Sequence, residues 1–213
     1  MITAVAALMA FYYVGRTDTI GVFSPTRGWA AMTGDPLPSW AHFGSAALVL
    51  GVVPTLVARY VLGLSWRELG LGLGNWRSGA VLLLIGVPLA VIAGRIGADN
   101  PVMRAVYPLD PTVPQNRFVV HAALQFLYFG AWEVLFRGVL LFGLARSWGG
   151  GAANAIQTAL SVTAHFGRAL TETFAALPAG LVFGWASLRT GSIWYIAIIH
   201  WTVGISMDWF IMY

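Results

Sequence analysis

The chain has 213 residues, of which 58% are hydrophobic and only 9% are charged. A soluble domain carries about 25% charged residues, and a disordered chain combines low hydrophobicity with high charge, so both classes are excluded. The absence of cysteine excludes disulfides, thiolate metal sites and cysteine catalysis. The net charge of +4 comes from 12 arginines and no lysine. These arginines stand singly between apolar runs, which is typical of topology anchors and not of a nucleic-acid surface.

Apolar runs predict about seven membrane-spanning helices, because a span needs about 17–25 largely apolar residues. In chain order the predicted spans are residues 2–14, 41–63, 79–98, 118–144, 152–166, 173–189 and 191–212. Arg16 to Ser39 and Pro101 to Pro114 are predicted loops, and the glycines at 149–151 predict a helix break. The predicted fold class is therefore all-α, a polytopic bundle of membrane helices.

Four ionisable residues lie inside three of these spans: Glu133, Arg137, His165 and His200. A charge at the bilayer centre costs about 2.5–3.5 kcal/mol, which makes such residues candidates for function. Glu133 and Arg137 are four residues apart and can pair on a helix. The pair either lets the helix tolerate both charges, or it keeps a carboxylate ionised and ready to accept a proton from water.

One face of the fifth predicted span carries a narrow stripe of polar residues. At 100° per residue its members fall within roughly 60° of one another; they are Asn154, Thr158, Ser161 and His165. Glu172 would join this stripe if the helix continued that far. Such a stripe faces either another helix, as interhelical glue, or a water-filled cavity.

The histidines leave several interpretations open. Taken alone, His200 is typical of a buried histidine whose hydrogen bonds are made within the core. Together with Glu133 and His165 it could complete a proton-transfer site or a metal site. His42 and His121 lie near predicted span ends, where we expect interfacial roles. No HExxH, Gly-x-Ser-x-Gly or phosphate-binding glycine motif is present. A proton-coupled carrier would also use intramembrane ionisable residues, although uneven spans without an inverted repeat are atypical of carriers.

Three motifs resemble one known family. The run Glu133-Val134-Leu135-Phe136-Arg137-Gly138 resembles the E-x-x-F-R-G core of the first motif of the CPBP family, the CAAX-processing and bacteriocin-processing (Abi-like) intramembrane proteases. Ser161 to His165 takes the place of the second motif, F-x-x-x-H. His200 follows Gly191-Ser192 as in the third. The resemblance covers about residues 118–204. The apolar runs predict one integrated membrane domain, with N-terminal transmembrane helices and loops in residues 1–117, and the resemblance implies catalytic core helices in residues 118–213.

The motifs also depart from the family pattern. Trp132 stands where the family has the first of two glutamates, Ser161 replaces the phenylalanine, and Gly204 replaces an asparagine or aspartate. Asp208 or Glu172 could supply a missing polar group. At a rise of 1.5 Å per residue each is about 10–12 Å from its histidine along a helix, so a kink or a partner helix is needed. The secondary site candidates are Glu172, Asp208, Asn154 and Ser161.

The resemblance implies a mechanism with a Glu-activated water. Glu133 would be the general base, held by Arg137, while His165 would position the water and His200 would stabilise the oxyanion. The same three residues, Glu133, His165 and His200, could instead hold a divalent metal such as zinc, with one coordination position open. Both versions remain open at this point, one with a metal and one with none.

The sequence therefore predicts an intramembrane endopeptidase that hydrolyses a peptide bond in a membrane-associated protein or peptide. The lipid bilayer is its other expected partner, no nucleic acid is expected, and the predicted localisation is a prokaryotic plasma (inner) membrane. The alternative is a catalytically degenerate homologue acting as a membrane scaffold, chaperone or immunity protein. Trp132 and Gly204 are the residues that support this alternative.

Overall fold

The computed structural model describes residues 1–12, 39–108, 111 and 113–213, and within these ranges it contains helices and turns but no strand. We number the α-helices in chain order as α1 (Ile2–Ala10), α2 (Ser39–Ala46), α3 (Val53–Tyr60), α4 (Trp76–Asp99), α5 (Pro101–Arg104), α6 (Phe118–Glu133), α7 (Gly143–Thr163), α8 (Leu170–Thr190) and α9 (Trp194–Met212). Two π-helical stretches, Ala47–Val52 and Val134–Phe142, join α2 to α3 and α6 to α7, and a 3₁₀ turn, Gln115–Arg117, precedes α6. The predicted all-α class is confirmed. The predicted loop Arg16 to Ser39 lies outside the described residues, apart from Ser39 itself.

Four segments of the described chain are long and apolar enough to cross a membrane. They are Trp40–Tyr60, Trp76–Asp99, Gln115–Thr163 and Trp194–Met212. The third contains a break at Gly149, with φ 77° and ψ 158°, so the predicted break is confirmed and this segment covers two predicted spans. Helices α1 and α8 lie within or over two further predicted spans, but they are not long and apolar enough to be counted with these four segments. The membrane bundle is confirmed, and the total of seven spans stays a prediction.

The long segment that carries the charged pair is not a regular α-helix. The sequence predicted one continuous helix over residues 118–144, whereas Val134–Phe142 is π-helical. A π-helical turn holds more residues than an α-helical turn, and such turns occur frequently at functional sites. Eight of these nine residues, Arg137 among them, are nonetheless buried. Glu133, which is also buried, lies at the junction with α6. The charged pair is therefore inside the bundle and not on its lipid face.

Small residues allow α4 to lie directly against α9. A Cβ added at Gly79 would lie 2.1 Å from the ring of Tyr195. A Cβ added at Gly94 would lie 2.8 Å from the backbone oxygen of Val203 and 2.9 Å from the backbone nitrogen of Met207. Close approach through small residues is typical of helix packing in membranes. This contact positions α9, the helix that carries His200.

We expect Gly94→Ala to destabilise the bundle, because the new methyl group would meet backbone atoms of α9 that move only if the helix moves. Overpacking of this kind costs about 1–3 kcal/mol. The measurement is the thermal unfolding midpoint in detergent micelles. Gly151→Ala is the matched control, since nothing lies within 4 Å of a Cβ added there. A Gly94→Ala midpoint as high as that of Gly151→Ala would contradict the close α4–α9 contact.

The connector between α3 and α4 holds the turn that precedes α9. The backbone nitrogen of Asn75 donates to the Thr190 carbonyl at 2.6 Å. The indole nitrogen of Trp194 donates to the Leu71 carbonyl at 2.9 Å. Gly191 lies between these two bonds, and its left-handed conformation, with a φ of +68°, ends α8. The start of α9 is therefore fixed from both sides.

Candidate active site

A polar cavity of about 70 Å³ lies between α6, α8, α9 and the turn after α7. We call it the histidine cavity, because His165 and His200 both line it. Trp132 of α6 and Glu172 of α8 complete this part of the wall. A cavity of that volume accommodates a few water molecules. Two of the predicted catalytic residues, from different helices, therefore reach one space inside the bundle.

Glu133 lies behind the cavity wall. Its carboxylate is 0% exposed and belongs to no part of the lining. The Oε1 atom accepts a hydrogen bond from Arg137 Nη1 at 3.1 Å and another from His200 Nδ1 at 2.7 Å. The Arg137 guanidinium also lies over the ring of Phe183, 5.6 Å from its centroid. The predicted ion pair is present, and among the described residues of the cavity wall His200 is the one hydrogen-bonded to the Glu133 carboxylate.

Each cavity histidine has one ring nitrogen fixed by the protein. His165 Nδ1 lies 2.6 Å from the Ser161 carbonyl oxygen, and His200 Nδ1 lies 2.7 Å from the Glu133 carboxylate. Both partners are acceptors, so both Nδ1 atoms carry a proton and donate. Nε2 is then the nitrogen of each ring that can act on a water or a substrate.

Trp132 occupies the position at which the CPBP pattern has its first glutamate. Its ring packs edge-on against His165, with the centroids 5.4 Å apart and the planes at 78°. The Trp132 side chain lines the cavity and is only 6% exposed. An apolar indole therefore stands beside the histidine where the family motif would supply a carboxylate.

The polar stripe on α7 divides into two parts with different roles. Asn154 Nδ2 donates to the Leu181 carbonyl at 2.9 Å. Gln157, which lies next to the stripe residue Thr158 and donates to its hydroxyl, also donates to the Gly180 carbonyl at 3.0 Å. This end of the stripe bonds α7 to α8, and Asn154 is not part of the cavity wall. At the other end Ser161 contributes its backbone carbonyl to His165. The interhelical and the cavity interpretations each hold for one end of the stripe.

Asp208 is buried and does not line the histidine cavity, although its partner Gln125 does. Its Oδ2 atom accepts a hydrogen bond from Gln125 Nε2 at 2.7 Å and lies 3.2 Å from His121 Nε2. His42 stacks on Tyr128 with the ring centroids 5.3 Å apart. His121 and His42 are buried, so the predicted interfacial roles are wrong. The reason is that α2 packs against α6, and this contact covers both histidines.

Glu172 reaches the cavity because the chain turns between α7 and α8. Helix α7 ends at Thr163, and Gly167 adopts a φ of +87° before α8 begins. The chain therefore has the kink that Glu172 needs in order to approach His165. The separation of the two residues along a continuous helix does not apply here. Glu172 lies in the first turn of α8, and its Oε1 atom accepts a hydrogen bond from the Tyr107 hydroxyl at 3.0 Å.

The predicted metal ligands do not fit a metal site in this arrangement. Among the described residues no group of three His, Asp or Glu side chains has the geometry to hold a metal ion. Glu133 Oε1 is engaged by Arg137 and His200, and the Nδ1 atom of His200 carries a proton, which excludes that nitrogen as a ligand. Glu133, His165 and His200 therefore do not assemble as a ligand set.

Several polar residues of the cavity wall were not identified from the sequence. They are Tyr12, Tyr107, Gln125, Tyr128 and Arg168. Gln125 carried a usable signal, since it is a polar residue within a predicted span. Tyr107 carried none, because it lies in a stretch that the sequence assigns to a loop.

The fold and the cavity define a helical membrane protein with a buried polar site. Residues 115–206 match the family described as type II CAAX prenyl endopeptidase Rce1-like. This match supports the resemblance to the CAAX-type intramembrane proteases that the motifs indicated. The matched stretch contains Glu133, His165, Glu172 and His200. No curated protein and no solved structure matches the chain.

Proposed function

We propose that the protein is an intramembrane endopeptidase that hydrolyses a peptide bond in a membrane-associated protein or peptide, in the plasma membrane of a prokaryote. The observation that carries the proposal is the meeting of His165 and His200 in one cavity within the bundle. The family match supports the peptidase class, since the matched stretch supplies both histidines.

The cavity histidines have separate tasks in this reaction. Peptide hydrolysis needs a positioned water and a donor to the oxyanion that forms when the carbonyl is attacked. His165, whose Nδ1 proton is held by Ser161, positions the water through Nε2. His200 donates to the oxyanion from Nε2 while its Nδ1 stays bonded to the Glu133 carboxylate. Arg137 compensates the buried charge of Glu133.

The test is a membrane-wide comparison of new protein N-termini in cells that carry the wild type, a deletion, His165→Ala or Glu133→Gln at matched expression. We expect a defined set of termini that requires the wild-type chain and is lost with His165→Ala. Glu68→Gln is a matched control, because Glu68 is an exposed loop residue bonded to Ser65. Identical termini in the wild type and the deletion would contradict a peptidase.

A second candidate function follows from Trp132 and Glu133. The indole beside His165 and the buried Glu133 carboxylate favour a member of the family that has lost catalysis and acts as a membrane scaffold, chaperone or immunity protein. This candidate predicts a phenotype for the deletion that His165→Ala and Glu133→Gln both rescue, with no change in any N-terminus.

A further inference from the structure

The histidine cavity contains a carboxylate that the known motif does not include. Of the described side chains that line it, Glu172 is the sole carboxylate. Trp132 stands at the family's first glutamate position, and Glu133 lies behind the wall, bonded to Arg137 and His200. A hydrolase of this kind needs a base in contact with its water. Within the described cavity wall, Glu172 is the acidic group with that access.

The turn between α7 and α8 brings Glu172 towards His165. Thr173, the next residue, donates from Oγ1 to the His165 carbonyl oxygen at 3.0 Å. This bond ties the first turn of α8 to the residue that carries the imidazole. Gly167, with its φ of +87°, allows the chain to reverse over so short a distance. Glu172 and His165 thus both line one cavity and are joined by the turn between α7 and α8.

The Glu172 carboxylate is oriented by one neighbour through one of its oxygens, and the other oxygen has no hydrogen-bond partner among the described residues. Oε1 accepts the hydrogen bond from the Tyr107 hydroxyl at 3.0 Å, whereas Oε2 is buried and has no hydrogen-bond partner among the described residues. Burial raises the pKa of Tyr107 well above its ordinary value, so its hydroxyl stays protonated and donates. The N-terminus of α8 also favours a negative charge at this position.

We propose that Glu172 is the general base of the peptidase, in place of the glutamate replaced by Trp132, and that Tyr107 is its positioning residue. The inference rests on the proposed function and names its catalytic carboxylate. Glu172 Oε2 accepts a proton from the water as the water oxygen bonds to the scissile carbonyl carbon, and the carbonyl π electrons become the oxyanion. When the oxyanion collapses, the carbon–nitrogen bond breaks and the leaving amine takes that proton from Glu172.

The test uses membranes isolated from cells that carry the full-length chain, with the rate of appearance of wild-type-dependent N-termini as the readout. We expect Glu172→Gln to lower this rate by about 10²–10⁴-fold, the usual contribution of a general base. Glu68→Gln should retain the wild-type rate. Tyr107→Phe, which keeps the base but loses its hydrogen bond, should lower the rate by about tenfold. Detergent gel filtration confirms that each variant is folded.

Chemical rescue distinguishes a base from a structural carboxylate. Glu172→Ala opens space in the cavity for a small acid, so added sodium formate should restore part of the lost rate, while sodium chloride at equal ionic strength should not. Formate should not rescue His165→Ala. If Glu172→Gln is fully active while His165→Ala is inactive, the protein is a peptidase but Glu172 is not its base. If Glu172→Ala is folded and inactive and formate does not rescue it, the role of Glu172 is overturned as well. The absence of any wild-type-dependent terminus would overturn the peptidase itself.

Discussion

Replacement of Arg137 by alanine is expected to lower the free energy of unfolding by about 3–5 kcal/mol, because a buried carboxylate loses its cation. Glu133 is 0% exposed and Arg137 is 2% exposed, so water does not reach the charge that is left. His200 would remain as a hydrogen-bond donor to Glu133 Oε1. Chemical unfolding in detergent micelles, followed by tryptophan fluorescence, measures the change.

A double variant shows whether the buried charge is the cause. Glu133→Gln combined with Arg137→Met removes both charges and should recover most of the lost stability, since a buried pair costs as much to desolvate as it returns. Arg146→Ala is the matched control, because Arg146 pairs with Glu68 at 3.0 Å with both side chains well exposed. Its expected change is below about 1 kcal/mol. A double variant as unstable as Arg137→Ala would contradict this explanation.

The second large effect is expected at His200. In His200→Asn the side-chain amide nitrogen takes the place of Nδ1 and keeps the hydrogen bond to Glu133, while the group at Nε2 is lost. Removal of one oxyanion donor lowers the catalytic rate by about 10²–10³-fold. We therefore expect a folded variant in which wild-type-dependent N-termini appear more slowly by that factor. The rate in isolated membranes is the measurement.

Two comparisons make the His200 result specific. Thr202→Val alters a buried neighbour on α9 that bonds its own helix, with Oγ1 2.7 Å from the Ile198 carbonyl oxygen, and it should retain the wild-type rate. His200→Gln instead presents its amide near the Nε2 position and loses the Glu133 contact, so it should retain more activity than His200→Asn if the oxyanion is the target. A fully active His200→Asn would show that Nε2 has no part in the reaction.

The predictions that succeeded from sequence rest on local properties. Hydropathy depends on residues within one span, and it identified the membrane bundle. The break at Gly149 was predicted from three consecutive glycines, and Gly149 there adopts a positive φ that glycine tolerates readily. Glu133 and Arg137 were expected to pair because they are four residues apart, a contact that one helix makes by itself.

Only the tertiary structure decided which of these groups meet. The His200 contact with Glu133 spans 67 positions, and the Tyr107 contact with Glu172 spans 65. Such contacts depend on how α6, α8 and α9 pack. In an apolar chain every helix face is hydrophobic enough to be buried or to meet lipid, so the pattern does not fix the rotation of a helix. The sequence therefore determined the class of the protein and the residue types of its site, while packing turned Glu133 away from the cavity and brought Glu172 into it.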